Sequence, residues 1–183
     1  MDGNGASRLR LVTSAGGPAP APAAAVRDRQ RPAALTTMAL IHFDASAFVK
    51  LLADEAGSDL AAQLWDGCDA ALASRLAYPE VRAALAAAAR NHDITEPELD
   101  AAEADWDRYW AATRPVELTP AVERHAGQLA RAHALRGADA VHLASALAIG
   151  DPDLIIAAWD RRLHAGATAA GCRVAPAQLD QQP

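Results

Sequence analysis

From Met38 onward, short runs of apolar residues alternate with longer stretches whose apolar residues recur every three or four positions. The short runs are typical of buried β-strands, and the longer stretches are typical of helices that bury one face. Because strands separated by helices are joined by crossovers, the pattern predicts a mostly parallel sheet with helices on both faces. Five strands are predicted, at residues 39–43, 70–73, 116–118, 154–158 and 172–174.

Capping residues and glycines set the bounds of the predicted helices. Ser46 is predicted as an N-cap, because a serine side chain accepts a hydrogen bond from the backbone at a helix start. Thr95 and Glu98 have the spacing of a capping box, with Pro97 in the first turn. The predicted helices begin after Ser46 and after Gly57, cover residues 76–90, 96–113, 138–149 and 161–170, and include one that opens at Thr119 and ends before Gly137.

Residues 1–37 differ from the rest of the chain in composition. Their proline, alanine and glycine tract at residues 16–23 has no apolar period and cannot bury enough surface to fold. We predict a disordered low-complexity tail, or a start codon assigned too early, with Met38 as the true first residue. The alternative is a basic arm for nucleic acid, because the segment holds five arginines and two acids. The predicted domain spans residues 38–176, and residues 177–183 form a C-terminal tail.

Composition and charge exclude several classes of protein. No apolar run reaches the roughly 18 residues that a membrane-spanning helix needs, so no membrane partner is expected. Two cysteines, Cys68 and Cys172, cannot form a disulfide framework, which favours a reducing compartment and a cytoplasmic protein. The net charge of −6 argues against a protein that coats nucleic acid or membranes without specificity.

Four acidic residues occupy positions where a parallel sheet would bring them together. Asp44 and Asp160 each directly follow a predicted buried strand, whereas Glu80 and Asp139 lie in the first turns of predicted helices. In a parallel sheet, the carboxyl ends of the strands and the amino ends of the helices that follow them lie at the same edge, where ligands bind. The sequence therefore predicts that the four carboxylates converge.

Carboxylates that converge repel one another and raise each other's pKa unless a cation compensates them. Oxygen ligands of this kind suit Mg²⁺, with Mn²⁺ as an alternative. Each acid also has a structural explanation: a cap or turn for Asp44, the helix dipole for Glu80 and Asp139, and a loop ion pair for Asp160. It is the set of four, in this order, that indicates a metal site.

Four motifs resemble those of PIN-domain ribonucleases, especially the VapC-type toxins of toxin–antitoxin systems. Residues 40–51 (LIHFDASAFVKL) resemble the opening motif, and residues 79–85 (PEVRAAL) resemble the second. Residues 137–146 (GADAVHLASA) resemble the third motif, which is the most specific, and residues 159–163 (WDRRL) resemble the fourth. The resemblance covers residues 38–174, essentially the whole predicted domain.

The resemblance implies a PIN-like α/β fold, a three-layer α/β/α sandwich around a short, mostly parallel sheet. It also implies an endoribonuclease dependent on Mg²⁺ or Mn²⁺, which hydrolyses RNA phosphodiesters with a metal-activated water and leaves a 5′-phosphate and a 3′-hydroxyl. The family's metal-binding acids correspond, motif by motif, to four residues of this chain. The expected metal ligands are therefore Asp44, Glu80, Asp139 and Asp160. Ser46 is expected to hydrogen-bond within the site and to orient Asp44 or a water.

The resemblance further implies protein partners. A cognate antitoxin is expected to block the acidic pocket by placing an amphipathic helix in an apolar groove. That groove is expected around Phe48, Leu51, Leu52, Leu60 and Leu64. A homodimer is also expected, through the helix that carries Trp106 and Trp110.

Two other functions remain open at this point. One is a phosphatase of the haloacid-dehalogenase type, with Asp44 as the nucleophile. Such enzymes typically carry a second aspartate two residues later, where this chain has Ser46. The other is a non-catalytic interaction module with a degenerate site, against which the intact set of four acids argues.

Several residues near the motifs are interpreted as supporting ones. His142, one helical turn after Asp139, is interpreted as a packing or supporting residue rather than a base. Arg82 is two residues after Glu80 and therefore on another face of its helix, so we expect it to point away, toward an ion pair or the rim. Either a phosphate contact or a solvated ion pair is expected for Arg75, Arg161 and Arg162.

Overall fold

The fold is organised around a five-stranded sheet. The computed structural model describes residues 10–11 and 38–179. Its strands are β1 (Arg10–Leu11), β2 (Leu40–Phe43), β3 (Ala53–Asp54), β4 (Ala70–Ser74), β5 (Arg114–Val116), β6 (Ile155–Ala157) and β7 (Arg173–Ala175). The sheet has the order β5-β4-β2-β6-β7, and all four neighbouring pairs are parallel. The predicted parallel arrangement is confirmed.

Helices cover both faces of this sheet. Within the described ranges they are α1 (Ala45–Leu52), α2 (Ser58–Gly67), α3 (Ala77–Arg90), α4 (Glu96–Ala112), α5 (Pro120–His133), α6 (Gly137–Leu147) and α7 (Arg161–Ala169). One apolar core is formed by residues of α1–α4, and a second by residues of α5–α7. The three-layer α/β/α sandwich is therefore confirmed. None of the helices in this described part is long and apolar enough to cross a membrane.

The central strand β2 contributes to both cores. Ile41 and Phe43 belong to the core on the α1–α4 side. His42 lies between them and is paired in register with Leu72 of β4 and Ile156 of β6, both of which belong to the other core. Because side chains alternate along a strand, His42 faces the α5–α7 side and is completely buried there.

Most element bounds lie close to the predicted ones, but two predictions were wrong. Ser46 is not the N-cap of α1, because the extended residue before the helix is Asp44, whose carboxylate accepts the capping hydrogen bond from the Ala47 N–H. Strand β5 begins two residues earlier than predicted and includes Pro115. A proline is tolerated there because β5 is an edge strand of the sheet.

The groove expected for an antitoxin helix is a core rather than a surface at three of its five positions. Phe48, Leu51 and Leu52 are all buried in the α1–α4 core, whereas Leu60 and Leu64 are half-buried. Trp106 is likewise fully buried, so the expected homodimer cannot use it as an interface anchor. Phe48, Leu51 and Leu52 pack inward because α1 contacts α2, α3 and α4.

Two residues of the segment predicted to be disordered take part in the structure. Arg10 and Leu11 form an antiparallel pair with Asp54 and Ala53, respectively. Leu11 is half-buried against the α1–α4 core. The rest of the predicted tail, residues 1–9 and 12–37, lies outside the described residues, as does the C-terminal tail from residue 180.

A close contact between two turns requires a glycine at position 57. Gly57 precedes α2 with a φ of 95°, a left-handed conformation that side chains with a Cβ rarely adopt. A Cβ at this position would also overlap the indole nitrogen of Trp159. The contact therefore holds the turn between β3 and α2 against the turn that precedes Asp160.

We expect Gly57→Ala to lower the free energy of unfolding by about 1–3 kcal/mol, because it combines backbone strain with a steric overlap. The control is Gly127→Ala in α5, where a Cβ meets nothing within 4 Å; it should raise stability by up to about 1 kcal/mol. Urea unfolding followed by circular dichroism measures both. A Gly57→Ala protein as stable as the unsubstituted chain would contradict the contact.

Candidate active site

Asp44 lies at the carboxyl end of the central strand and is almost completely buried, at 3% exposure. Its backbone N–H continues the sheet by donating to the Ala157 carbonyl across 3.1 Å. Its side chain turns back over α1, where Oδ1 accepts the Ala47 N–H at 2.8 Å. The carboxylate thus caps a helix and also lies at the carboxyl-terminal end of the sheet.

The Ser46 hydroxyl joins Asp44 to the turn after β6. It donates to the Asp44 carboxylate, with distances of 2.7 Å to Oδ1 and 2.9 Å to Oδ2. It also accepts the backbone N–H groups of Trp159 at 2.7 Å and Asp160 at 3.1 Å. One donor and two acceptor sites exhaust a hydroxyl's capacity, so Ser46 fixes the two strand ends relative to each other.

Asp160 is the second acid at a strand end, and it caps the helix that follows. Its Oδ1 accepts the N–H groups of Arg162 at 2.8 Å and Leu163 at 2.9 Å. These bonds satisfy donors that the first turn of α7 would otherwise leave unpaired. Asp160 also acts electrostatically on Asp44, whose pKa its charge raises.

Glu80 and Asp139, the two acids in first helical turns, are oriented differently. Glu80 of α3 is hydrogen-bonded through Oε2 to Nε2 of His142, at 2.6 Å. Asp139 of α6 accepts the Arg136 N–H through Oδ2 at 3.2 Å and is 9% exposed. The contact between His142 and Glu80 is the feature of the site that sequence reasoning missed; the position of His142 one turn after Asp139 was its only signal.

The electrostatics place His142 among three of the four acids. Burial by itself lowers the pKa of His142, but the hydrogen bond to Glu80 and the charges of Asp44, Glu80 and Asp139 outweigh it, so that the pKa is raised. Burial raises the pKa of Asp44 from 3.8 to about 6, although His142, Ser46 and Ala47 act in the opposite direction. Asp44, Glu80 and Asp139 are therefore close enough to act on one imidazole ring.

A second buried histidine, His42, packs against the ring of His142. Burial lowers the pKa of His42 to about 3, so the ring is neutral. Its ring centroid lies 6.3 Å from that of His142, edge to face. Neither ring nitrogen of His42 has a hydrogen-bond partner among the described residues. His42 therefore supports the His142 ring by packing.

Two arginines near the motifs, Arg75 and Arg82, form ion pairs with acids other than the four candidate ligands. Arg82 pairs with Glu103 of α4 at 3.1 Å, as expected for a residue that points away from Glu80. Arg75 donates to Glu117 through Nε at 2.8 Å, in an exposed pair. For these two residues the ion-pair interpretation agrees with the structure.

The four carboxylates are ligands that suit a hard divalent cation, but their side chains do not form a complete coordination sphere in this structure. Among the described residues, no three His, Cys, Asp or Glu side chains are grouped so as to hold a metal ion. Yet Asp44 is a buried carboxylate whose pKa is raised because burial disfavours its charge, and a bound cation reverses that effect. Carboxylate oxygens are also the ligands that Mg²⁺ and Mn²⁺ prefer.

Comparison with known proteins assigns the chain to a family. Residues 41–167 match the family model described as PIN domain. The chain belongs to the PIN-domain family. This PIN-domain chain is also 80% identical over 143 residues to Ribonuclease VapC45 of Mycobacterium tuberculosis strain CDC 1551 / Oshkosh and to Ribonuclease VapC49 of strain H37Rv; each alignment covers 78% of the chain and 99% of the relative. The expected VapC-type endoribonuclease is confirmed.

Solved structures share the fold of this PIN domain. PAE2754 from Pyrobaculum aerophilum has a TM-score of 0.55 at 19% identity, over 74% of this chain and 89% of that one. Mycobacterium tuberculosis VapC20, described as a sarcin–ricin loop cleaving toxin, has a TM-score of 0.54 at 23% identity, over 72% and 95%. FitAcB from Neisseria gonorrhoeae has a TM-score of 0.54 at 17% identity, over 73% and 95%. At these identities the likeness shows the fold alone.

We expect Ser46→Ala to lower the free energy of unfolding of this PIN domain by about 1–3 kcal/mol, because it leaves the N–H groups of residues 159 and 160 without their acceptor. The control is Ser145→Ala, since the Ser145 hydroxyl is buried without a hydrogen-bond partner among the described residues; its removal should leave the free energy of unfolding unchanged or raise it. Chemical denaturation measures both variants. Equal stabilities would contradict the bridging role of Ser46.

We expect Asp44→Asn to stabilise the metal-free protein above pH 6. The folded-state pKa of Asp44 is raised from 3.8 to about 6, so the ionised group costs stability above pH 6 and not below pH 3.8. A tenfold change in an acid dissociation constant corresponds to about 1.4 kcal/mol, which sets the gain at up to about 3 kcal/mol. Asp44 also helps to raise the pKa of His142, so losing the attraction between the two charges reduces the gain further as the pH falls and His142 becomes protonated.

Urea unfolding between pH 4 and pH 8 in the presence of a chelator measures this difference. The gain from Asp44→Asn should shrink as the pH falls from 6 to 4. A difference that does not change with pH would show that the buried charge is not its source.

Proposed function

We propose that this chain is a Mg²⁺-dependent endoribonuclease, able to use Mn²⁺, whose metal ligands are Asp44, Glu80, Asp139 and Asp160. The observation that carries the proposal is the buried Asp44 carboxylate, which the central strand presents within the electrostatic reach of Asp160 and His142. A carboxylate with a raised pKa at the ligand-binding edge of a parallel sheet is suited to a cation.

The residues of the chain have distinct roles in this proposal. Ser46 holds the Asp44 carboxylate and the backbone of Asp160 in a fixed relation. The helix-capping bonds of Asp139 and Asp160 fix their side-chain orientations. A hydrogen bond to one oxygen leaves a carboxylate able to bind a cation, because it has about four lone-pair sites. Each acid is thus oriented before a cation is bound.

The four acids would hold a divalent cation, which would supply acidity to a water and positive charge to a phosphodiester and its departing oxygen. Mg²⁺ suits the site because it binds through a few carboxylates and keeps several waters. The four carboxylates repel the phosphate groups of RNA unless a bound cation offsets that repulsion. The chain has a net charge of −6, so we expect it to bind RNA only around the metal site. Removing the metal should weaken this binding.

RNA is the substrate because the relatives that share 80% identity are named ribonucleases. The same names favour this function over a phosphatase and over a non-catalytic module. By family, the partner of a VapC-type toxin is an antitoxin. We propose that it reaches the acidic edge, which is the carboxyl-terminal end of the sheet with Asp44, Glu80, Asp139 and Asp160. The apolar contacts available to it on α2 are the half-buried Leu60 and Leu64. We also propose a homodimer, in which the half-buried Trp110 replaces Trp106 as the contact residue.

We expect Asp139→Asn to reduce Mg²⁺-dependent RNA cleavage at least about 100-fold, because loss of a ligand should cost no less than loss of a residue that supports one. The fold should be retained, since an asparagine keeps the shape of the side chain. The control is Asp153→Asn, which removes an exposed ion pair with Arg173 and should leave cleavage unchanged.

Cleavage of total RNA, with the cut sites mapped by sequencing, provides the measurement. Each protein is assayed with Mg²⁺, with Mn²⁺ and with a chelator. Unchanged cleavage by a folded Asp139→Asn protein would reject these residues as the site, and cleavage in the chelator would reject metal dependence.

A further inference from the structure

The hydrogen bond between His142 and Glu80 joins two elements that are far apart in sequence. Nε2 of His142 lies 2.6 Å from Oε2 of Glu80, and the two residues are 62 positions apart. A carboxylate can only accept a hydrogen bond, so Nε2 carries the proton and donates it. The bond therefore fixes the first turn of α3 against the middle of α6.

The two partners differ in how firmly the structure holds them. The His142 side chain is 5% exposed, whereas that of Glu80 is 32% exposed. A half-exposed glutamate has several rotamers available and loses entropy when one is selected. The buried ring is the fixed partner, so it is His142 that selects the position of Glu80.

Packing rather than a second hydrogen bond orients the ring. Nδ1 of His142 is buried and has no hydrogen-bond partner among the described residues. The ring contacts His42 edge to face. The contact with Glu80 is therefore the one side-chain hydrogen bond that the described residues offer to this imidazole.

Like charges near Glu80 make such a contact necessary. Asp44 and Asp139 both act on His142, so the ring lies among the acids that would otherwise repel the Glu80 carboxylate. Without a donor, a half-exposed glutamate lowers its energy by turning out into water, where repulsion between charges is weaker. A donor on the buried side opposes that movement.

We propose that His142 is a positioning residue that holds the Glu80 carboxylate toward the acidic edge, ready to bind a divalent cation. This inference rests on the proposed function, in which Glu80 is a metal ligand. His142 itself touches neither the cation nor RNA in this proposal. Its contribution is to the affinity for metal and not to the chemical step.

The experiment compares Mn²⁺ binding, measured by electron paramagnetic resonance on the full chain without RNA. His142→Leu removes the donor and should weaken Mn²⁺ binding by roughly 10–100-fold, the usual cost of losing a residue that supports a ligand. His142→Gln restores an N–H near the position of Nε2 and should recover binding to within about threefold of the unsubstituted chain. The control is His164→Leu, which removes a comparable hydrogen bond, to the Pro176 carbonyl at 2.8 Å; it should bind Mn²⁺ normally.

Cleavage kinetics provide a second measurement that a merely structural role would not change. In His142→Leu, the metal concentration for half-maximal cleavage should rise by the same factor as the Mn²⁺ dissociation constant. At saturating metal, kcat should stay within a few-fold of the unsubstituted value. A loss of kcat that saturating metal does not restore would overturn the positioning role.

Glu80→Gln separates failure of this inference from failure of the proposed function. If Glu80→Gln weakens Mn²⁺ binding and a folded His142→Leu protein does not, the inference is overturned and the proposed function stands. If neither the unsubstituted chain nor Glu80→Gln binds Mn²⁺, the proposed function fails. If His142→Leu does not fold, His142→Asn replaces it, because its amide lies near Nδ1; equal Mn²⁺ binding by the Gln and Asn variants would then overturn the inference.

Discussion

The hydrogen bonds of one serine hydroxyl hold together the ends of two neighbouring strands, and the candidate site depends on that junction. β2 and β6 are adjacent in the sheet, so the acids that follow them, Asp44 and Asp160, are brought close whatever their charges. Ser46 makes this tolerable by donating to the first carboxylate and accepting the backbone N–H of the second residue. These donors are neutral, so they do not themselves cancel the negative charge of the two carboxylates. That uncancelled charge is what a divalent cation requires.

Burial gives the residues around this junction opposite tendencies. It lowers the pKa of His42 and raises the pKa of Asp44, since in both cases the neutral form is the cheaper one to bury. His142 is the exception, because three carboxylates outweigh its burial and raise its pKa. The carboxyl-terminal end of the sheet thus contains one group whose positive form is favoured, among carboxylates that repel one another when they are ionised. A bound metal ion and a protonated His142 each place positive charge among these carboxylates.

The sequence was informative wherever the structure follows a local period or a local spacing. The parallel arrangement, most bounds of the sheet strands and the capping box at Thr95 and Glu98 are of this kind, and the structure confirms them. Contacts between distant segments have no such signature. The hydroxyl of Ser46 reaches the backbone of residues 159 and 160, and neither the helix pattern nor the motif around Ser46 indicated those two partners. Phe48, Leu51 and Leu52 look equally apolar whether a partner or another helix covers them, so their place in the core needed the structure.

The position of β6 within the sheet has a consequence for the synthesis of this ribonuclease. β6 pairs with the early strand β2 on one side and with the last strand, β7, on the other. Asp160 is consequently the last acid of the edge to leave the ribosome, and the Ser46 junction closes only after it has emerged. Contacts of such long sequence separation form late. A nascent chain therefore carries an incomplete candidate site until nearly all of the domain has been translated.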